Sequence, residues 1–296
     1  MTRTSLLRRP GRLRATLAGF AATALAGAGL FATAGTAAAA PEWAPAGQAT
    51  IHPGVQMYTE GGQCTGNFVF TDGADNVYVG YAAHCAGTGG ATDTDGCQAG
   101  SLPLGTRVEF RKGGNLLFPG TLLGEGTLAY SSWLAMDAAG TTDADTCAYN
   151  DFALVQVDAD DLAKVNPSIP FFGGPTGINT TGTSPTDRVY SFGNSSLRAG
   201  ITLLSPKIGI SLGTSGGGWT HSVYTLTPGV PGDSGSAFVD GQGRALGTLS
   251  TLALLPLPAS NGVGDFSREF AFAQAHSGIS GLQLAHGTEP FSTLLP

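Results

Sequence analysis

The chain reads as all-β, a barrel or a sandwich of short antiparallel strands. Three observations carry that reading. Short β-branched and aromatic runs recur between turns rich in Gly, Asn and Asp, and 46 of the 296 residues are glycine. Hairpin punctuation separates the runs, at Asp72-Gly73 and at Asp240-Gly241-Gln242-Gly243. Helical periodicity is nearly absent, so alternating strand–helix architectures are not supported.

In chain order, strands are expected over 67–70, 77–81, 106–111, 120–123 and 152–157, the first two joined through Asp72-Gly73. Residues 158–187 hold Pro167, Pro170, Pro175 and Pro185 without clear alternation. They read as a linker between two β-subdomains, the first over about 50–157 and the second over about 188–264. In the second, strands are expected over 188–192, 201–204, 208–212, 222–227, 236–239 and 245–251. One helix is expected over 267–276, with Asp265 or Ser267 as its cap and Phe270, Phe272 and Ala273 available to bury. No internal repeat is visible.

The first 14 residues hold five arginines (Arg3, Arg8, Arg9, Arg12, Arg14) and no acid, and an Ala/Gly/Leu stretch then ends in Ala37-Ala38-Ala39-Ala40. A positive start, an apolar middle and small residues at the end read as an export signal over 1–39, cut near Ala39, with 40–296 secreted. The stretch is only weakly apolar, which argues against a retained anchor, and Arg8-Arg9 hints at twin-arginine export. Nine bases and 21 acids follow residue 40, a formal charge of −12. That balance argues against nucleic acid and anionic membrane surfaces, and fits a soluble secreted protein, expected as a monomer. All four cysteines (Cys64, Cys85, Cys97, Cys147) follow the signal. An even count in an oxidising compartment suggests two disulfides, with three pairings possible. No Cys-x-x-Cys pair is present, so neither a metal nor a cofactor is expected.

The most informative stretch is Gly232-Asp233-Ser234-Gly235-Ser236. A serine hydroxyl near its free pKa is a poor nucleophile. It needs a base for its proton and donors for the oxyanion it creates. Glycines let the backbone turn sharply beside a substrate carbonyl, and the amides of Gly232 and Ser234 would be the donors. Well upstream stands Ala82-Ala83-His84-Cys85, a histidine whose flanks set it apart from His52, His221, His276 and His286. Between them, Asp151 opens an apolar strand behind a polar turn, which suits a buried orienting carboxylate. Asp137, Asp143 and Asp145 sit in a stretch that reads as a solvated loop, and Asp158 reads as a turn residue.

Ala82-Ala83-His84-Cys85, Asn150-Asp151-Phe152-Ala153-Leu154 and the serine pentad together resemble the landmarks of the chymotrypsin-like (trypsin-fold) serine peptidases, in a composition like that of a secreted actinobacterial member. The order His…Asp…Ser matches that family and neither subtilisin nor the α/β-hydrolases. The resemblance implies two antiparallel six-stranded β-barrels with a short C-terminal helix. It implies a serine endopeptidase that hydrolyses polypeptides through an acyl-enzyme, with Ser234 as nucleophile, His84 as general base and Asp151 as its orienting carboxylate. Gly232 and Ser234 would be the oxyanion donors, and Ser250 would hydrogen-bond Asp151. Cys64 with Cys85 is the family's usual bridge, and the pairing favoured here is Cys64–Cys85 with Cys97–Cys147.

The specificity pocket would fall at Pro228, six residues before the serine, and on Thr251, Leu252 and Leu254. None is charged, so a small or apolar residue before the scissile bond is expected. Asp233 needs a cationic partner. The N-terminal stretch Ala49-Thr50-Ile51-His52-Pro53-Gly54 departs from the family's activation pattern, and Arg188 and Arg198 are the arginines in reach along the chain. The alternatives are a catalytically silent binding protein on the same fold and an esterase. Gly213-Thr214-Ser215-Gly216-Gly217, with Asp265 and His276 beyond it, imitates a hydrolase elbow but lacks the strand–helix context. Asp93-x-Asp95-Gly96 and Asp143-x-Asp145 imitate calcium ligands without the required continuation.

Overall fold

The structure, a computed structural model, describes residues 41–90, 94–253 and 257–294. The expected export signal, Asp93 and Leu254 lie outside the described residues. The first half builds β1 (Gln56–Thr59), β2 (Gly62–Thr65), β3 (Val69–Thr71), β4 (Val77–Tyr81), β5 (Arg107–Lys112), β6 (Thr121–Ser131), α1 (Ser132–Ala139), α2 (Ala144–Tyr149) and β7 (Ala153–Val157). The second half adds β8 (Arg188–Phe192), β9 (Pro206–Ser215), β10 (Thr220–Thr225), β11 (Ala237–Asp240), β12 (Ala245–Ala253), β13 (Ser260–Asp265), α3 (Phe266–His276) and β14 (Gln283–Leu284).

All pairings between these strands are antiparallel. One sheet runs β14-β3-β4-β7-β6-β5-β1-β2, and the other closes as the six-stranded barrel β10-β13-β12-β11-β8-β9. The all-β class and the closed barrel agree with the sequence reading. The first sheet has eight strands where six were expected. The added members include the β1–β2 hairpin, whose Gln, Thr and Gly residues carry no strand signal. Its turn is set by Glu60 and Gly61, both with positive φ (48° and 85°), the geometry that matches the twist of paired strands.

The expected strands over 77–81 and 188–192 coincide with β4 and β8. The expected strand over 201–204 is instead a 3-10 turn, Thr202–Leu204. Its Leu203 is 82% exposed, and among the described residues no strand pairs with its backbone. The supposed loop around Asp137, Asp143 and Asp145 is helical. Gly140 in the left-handed region ends α1, and the Asp143 side chain accepts the Thr146 amide to start α2. Residues 158–187 hold no strand but are packed, with Val165 and Phe172 at zero exposure. The expected C-terminal helix is α3, and Asp265 caps it by accepting the Arg268 amide at 2.9 Å.

Three apolar clusters hold these parts. Val79, Val108, Phe110 and Val155 belong to the core of the first sheet. Val189, Val223, Phe238, Leu246 and Val263 fill the barrel. A third, aromatic layer joins β3, β7, β8 and α3. Phe266 contacts Phe68, Phe70, Phe152 and Phe270 at ring distances of 5.0 to 5.9 Å. Each buried ring contributes about 1.5–3 kcal/mol, so this layer fixes the segment before β7 against the barrel and α3.

Candidate active site

His84 lies on a 3-10 turn, Ala83–Ala86, just beyond β4. Ala82, Ala83 and Ala86 have no exposure, and these small residues let the turn sink into the core while the His84 side chain stays 21% exposed. Asp151 stands directly before β7 with its side chain 4% exposed. Its turn is pinned by Ser132, whose Oγ donates to the Asn150 carbonyl at 2.7 Å and accepts the Phe152 amide at 3.1 Å. Asp151 Oδ1 accepts the His84 amide at 2.8 Å, and Oδ2 lies 2.6 Å from His84 Nδ1. Ser250, on β12, donates its hydroxyl to the same Oδ2 at 2.6 Å.

Those contacts set the charges. Burial alone would raise Asp151, but the His84 charge and three hydrogen bonds outweigh it and hold the carboxyl below its ordinary value. Burial alone would lower His84, but Asp151 outweighs it and raises the imidazole above 6.5. With its proton on Nδ1 toward Asp151, the ring leaves Nε2 able to take a proton.

The serine turn is tied to this pair through β2. Cys64 on β2 is bonded to Cys85, the neighbour of His84, and Cys97 is bonded to Cys147. Next along β2, Thr65 donates its amide to the Ser234 carbonyl at 2.8 Å and its hydroxyl to the Gly232 carbonyl at 2.7 Å. Gln63 donates to that same carbonyl at 2.9 Å. Gly232 and Gly235 both have positive φ, 92° and 89°, and a Cβ on Gly235 would run into the Thr65 carbonyl and the Ala82 amide. The amides of Asp233, Gly235 and Ser236 are all taken by backbone carbonyls. Those of Gly232 and Ser234 meet no acceptor among the described residues, so two donors are free beside the hydroxyl. Among the described residues the Ser234 hydroxyl itself has no hydrogen-bond partner.

Asp233 points the other way, fully buried. Its Oδ2 accepts from Arg198 Nη2 at 2.5 Å and from Lys207 Nζ at 3.0 Å, and its carboxylate also takes the amides of Ser195 and Val230. Arg198 is thus the arginine partner, whereas Arg188 opens β8 and is exposed. Lys207 was not considered from the sequence.

Of the expected pocket residues, Pro228 has its carbonyl bound by Arg198 at 2.9 Å, Thr251 is half-buried and Leu252 is 52% exposed. Asn261 on β13, also missed by sequence reasoning, stands between them at 1% exposure. It accepts the Gly229 amide at 2.8 Å and donates to the carbonyls of Gly229 and Thr251 at 3.3 and 3.2 Å. A cavity of about 260 Å³ opens beside Ser250 and Thr251 toward Tyr149 and Ser222. A larger one of about 390 Å³, lined by His52, Phe171 and Glu289, has none of these site residues in its wall.

The imitation elbow ends β9 and leads through a 3-10 turn into β10, without the helix an elbow requires. Its supposed partners separate: Asp265 pairs with His221 at 3.0 Å, and His276 stacks on Phe272. Asp143 caps α2 and Asp158 binds Arg107. Among the described residues, the His/Cys/Asp groupings close enough for an ion contain sulfurs already in disulfides. No described helix is long and apolar enough to cross a membrane.

No protein-family model and no curated protein matches the chain. Among solved structures it is similar to protease A of Thermobifida fusca, at 16% identity over 80% of this chain and 99% of that one, with a TM-score of 0.49. It is similar to a Nocardiopsis protease at 18% identity over 79% and 98%, with a TM-score of 0.44. It is likewise similar to the chymotrypsin of Cellulomonas bogoriensis at 17% identity over 80% and 98%, with a TM-score of 0.44.

Proposed function

We propose that the chain is a secreted serine endopeptidase of the trypsin-fold type. The observation that carries this is the chain of contacts from Ser250 through Asp151 to His84, set beside a serine turn with two unoccupied amides. In this reading His84 Nε2 takes the Ser234 proton as Oγ attacks the peptide carbonyl. Asp151 keeps the ring in the tautomer that can do so and stabilises the imidazolium that forms. The amides of Gly232 and Ser234 receive the oxyanion. Removing one such donor typically costs 10²–10³ in turnover, so the pair supplies a large share of the barrier reduction. His84 then protonates the leaving amine, and water repeats the sequence on the acyl-enzyme.

Specificity follows from Asn261. In this reading the side chain before the scissile bond lies between the segment at Pro228 and Gly229 and β12, whose Leu249 carbonyl accepts from the Gly235 amide. Asn261 bridges the two through hydrogen bonds to the backbone of Gly229 and Thr251 and brings no charge between them. That arrangement fits a small residue before the scissile bond and leaves a Lys or Arg without a counter-ion. Secretion, a monomeric state and signal removal near Ala39 belong to the same proposal.

The test is labelling of the folded, disulfide-intact protein with a fluorophosphonate, read by peptide mapping, beside turnover of matched amide and ester substrates. Stoichiometric modification at Ser234 with amide cleavage is expected. Ser234→Ala is expected to reduce turnover about 10⁶-fold. Unlabelled folded protein would mean a silent binding protein, and ester cleavage alone would mean an esterase.

A further inference from the structure

Behind Asp151 lies a second carboxyl group that the reaction above does not use. Glu269, in the first turns of α3, has no solvent exposure. Its Oε1 accepts the Asp151 amide at 3.3 Å, and its Oε2 accepts the Thr248 hydroxyl at 2.7 Å. Thr248 in turn accepts from the Asn67 side chain at 3.3 Å. Gly264, opposite on β13, makes the room, since a Cβ there would overlap the Glu269 carboxyl group. A chain of hydrogen bonds thereby runs from Asn67, just before β3, through Thr248 on β12 and Glu269 on α3 to the backbone of one aspartate. A buried polar group is expensive unless its hydrogen bonds are met, and a leucine would fill the same space without that cost.

We propose that Glu269 is a positioning residue for Asp151, fixing through the Asp151 amide the carboxylate that orients His84. This rests on the triad reading above. The groups facing Glu269 explain how two acids can share the site. Burial pushes Glu269 well above 4.5, and the charges of Asp151, before β7, and Asp265, at the start of α3, push it further; the Thr248 and Asp151 hydrogen bonds only partly oppose them. Burial raises the Tyr130 hydroxyl, from β6, above its ordinary value, and a charge on Glu269 would raise it further. Asp151 is held in the opposite direction by His84. Two neighbouring carboxyls driven apart in this way divide the roles: Asp151 stays charged beside the imidazole, and Glu269 stays neutral and holds the backbone. Ionised Glu269 would add a second negative charge behind Asp151 and hold His84 as imidazolium, unable to accept the serine proton.

Three proteins decide the matter: wild type, Glu269→Gln and Glu269→Leu, compared for fluorophosphonate labelling rate at Ser234 and for kcat and KM against pH. Glutamine keeps the acceptor and lacks the charge. It is expected to label within about threefold of wild type and to leave the acidic midpoint of kcat/KM where it was. Leucine cannot accept the amide, and is expected to label at least about tenfold more slowly, with the loss in kcat and not in KM. Should the leucine variant not fold, Thr248→Val removes the hydroxyl that fixes Glu269 and is expected to lower kcat in the same direction. A leucine variant, or failing that a valine variant, with wild-type labelling and midpoint overturns the proposal. So does a glutamine variant whose midpoint falls, because Glu269 would then carry a charge. A wild type that does not label removes the triad reading and this proposal together, whereas a labelled wild type indistinguishable from the leucine variant removes only this one.

Discussion

The buried cluster behind the serine turn holds one anion and two cations, and that imbalance has a measurable consequence. Asp233 faces both Arg198 and Lys207, so its burial is more than offset and its carboxyl lies below the ordinary value. Lys207 faces one anion and one cation. Burial dominates, Arg198 adds to it, Asp233 opposes it, and the ammonium falls below 10.5. Both values fall, which favours the charged carboxylate and disfavours the charged ammonium, so the cluster serves the aspartate and penalises the lysine. Asp233→Asn leaves two cations buried without an anion and is expected to cost about 3–5 kcal/mol, a large fraction of a typical stability of about 5–15 kcal/mol. Lys207→Met keeps the Arg198–Asp233 pair, relieves the buried ammonium and preserves the volume of the stem. It is expected to lie within about 1.5 kcal/mol of the parent, on either side. Urea unfolding at pH 7, in the Ser234→Ala background so that self-cleavage does not intervene, separates them. At a slope of about 2–3 kcal/mol/M the asparagine midpoint falls by about 1–2.5 M while the methionine midpoint moves by less than about 0.8 M. The pH dependence has a definite sign. The Asp233 contribution is present above its unfolded value of about 3.9 and lost as pH falls through the lower folded value. With Lys207 depressed in the folded state, stability rises with pH between its folded value and 10.5, and Lys207→Met abolishes that rise. Equal losses from the two substitutions would refute the reasoning, because Lys207 would then be the essential counter-ion.

Asn261→Gly is expected to open the space between Gly229 and Thr251 and move the cleavage profile of a mixed peptide library from small toward larger side chains, with little change in the labelling rate of Ser234. Ser250→Ala removes one of the hydrogen bonds holding Asp151 down, and is expected to lower kcat about tenfold. In the parent, the acidic limb of kcat/KM is expected above 6.5, because Asp151 raises His84, and Asp151→Asn is expected to cost about 10⁴ in kcat. The Cys64–Cys85 and Cys97–Cys147 bridges are 21 and 50 residues apart in sequence, and paired Cys→Ala changes are expected to cost about 3 and about 4 kcal/mol in urea unfolding. Only the first is expected to slow Ser234 labelling of the protein that remains folded.

The parts legible in the sequence are those where chemistry restricts both a residue and its neighbours. His84 was marked by Ala82, Ala83 and Cys85, and Ser234 by Gly232 and Gly235, because a sunken 3-10 turn and a sharp serine turn each require small flanks. Asp151 was marked by the apolar strand after it. What stayed hidden depends on register and distance. Lys207 on β9 looks like an ordinary polar strand residue. Its burial follows from pairing with Ser191 on β8 and from an aspartate far along the chain. Asn261 lies in a Ser-Asn-Gly stretch that reads as a turn, yet it is β13 opposite Leu252. Glu269, shortly after the Asp265 cap, looks like a solvent-facing acid at the start of a helix, and only Gly264 hints that something large must fit against β13. α1 and α2 did carry signals, Gly140 and Asp143, but acids spaced between Ala, Gly and Thr imitate a loop.

The least legible element is also the one that joins the site. β2 has four residues, little apolar character and an edge position in the first sheet. Yet Cys64 fixes the turn that bears His84, and Gln63 and Thr65 fix the carbonyls of Gly232 and Ser234. The turn that bears His84 and the serine turn are therefore held from one short strand by a covalent bond on one side and hydrogen bonds on the other. Neither set would suffice alone. A disulfide limits where Cys85 can go but does not orient a serine, and hydrogen bonds from an untethered edge strand would fray with it. The polar composition that hides β2 from strand propensity is what allows its side chains to reach across to the barrel, so the weak local signal and the joining role have the same physical cause.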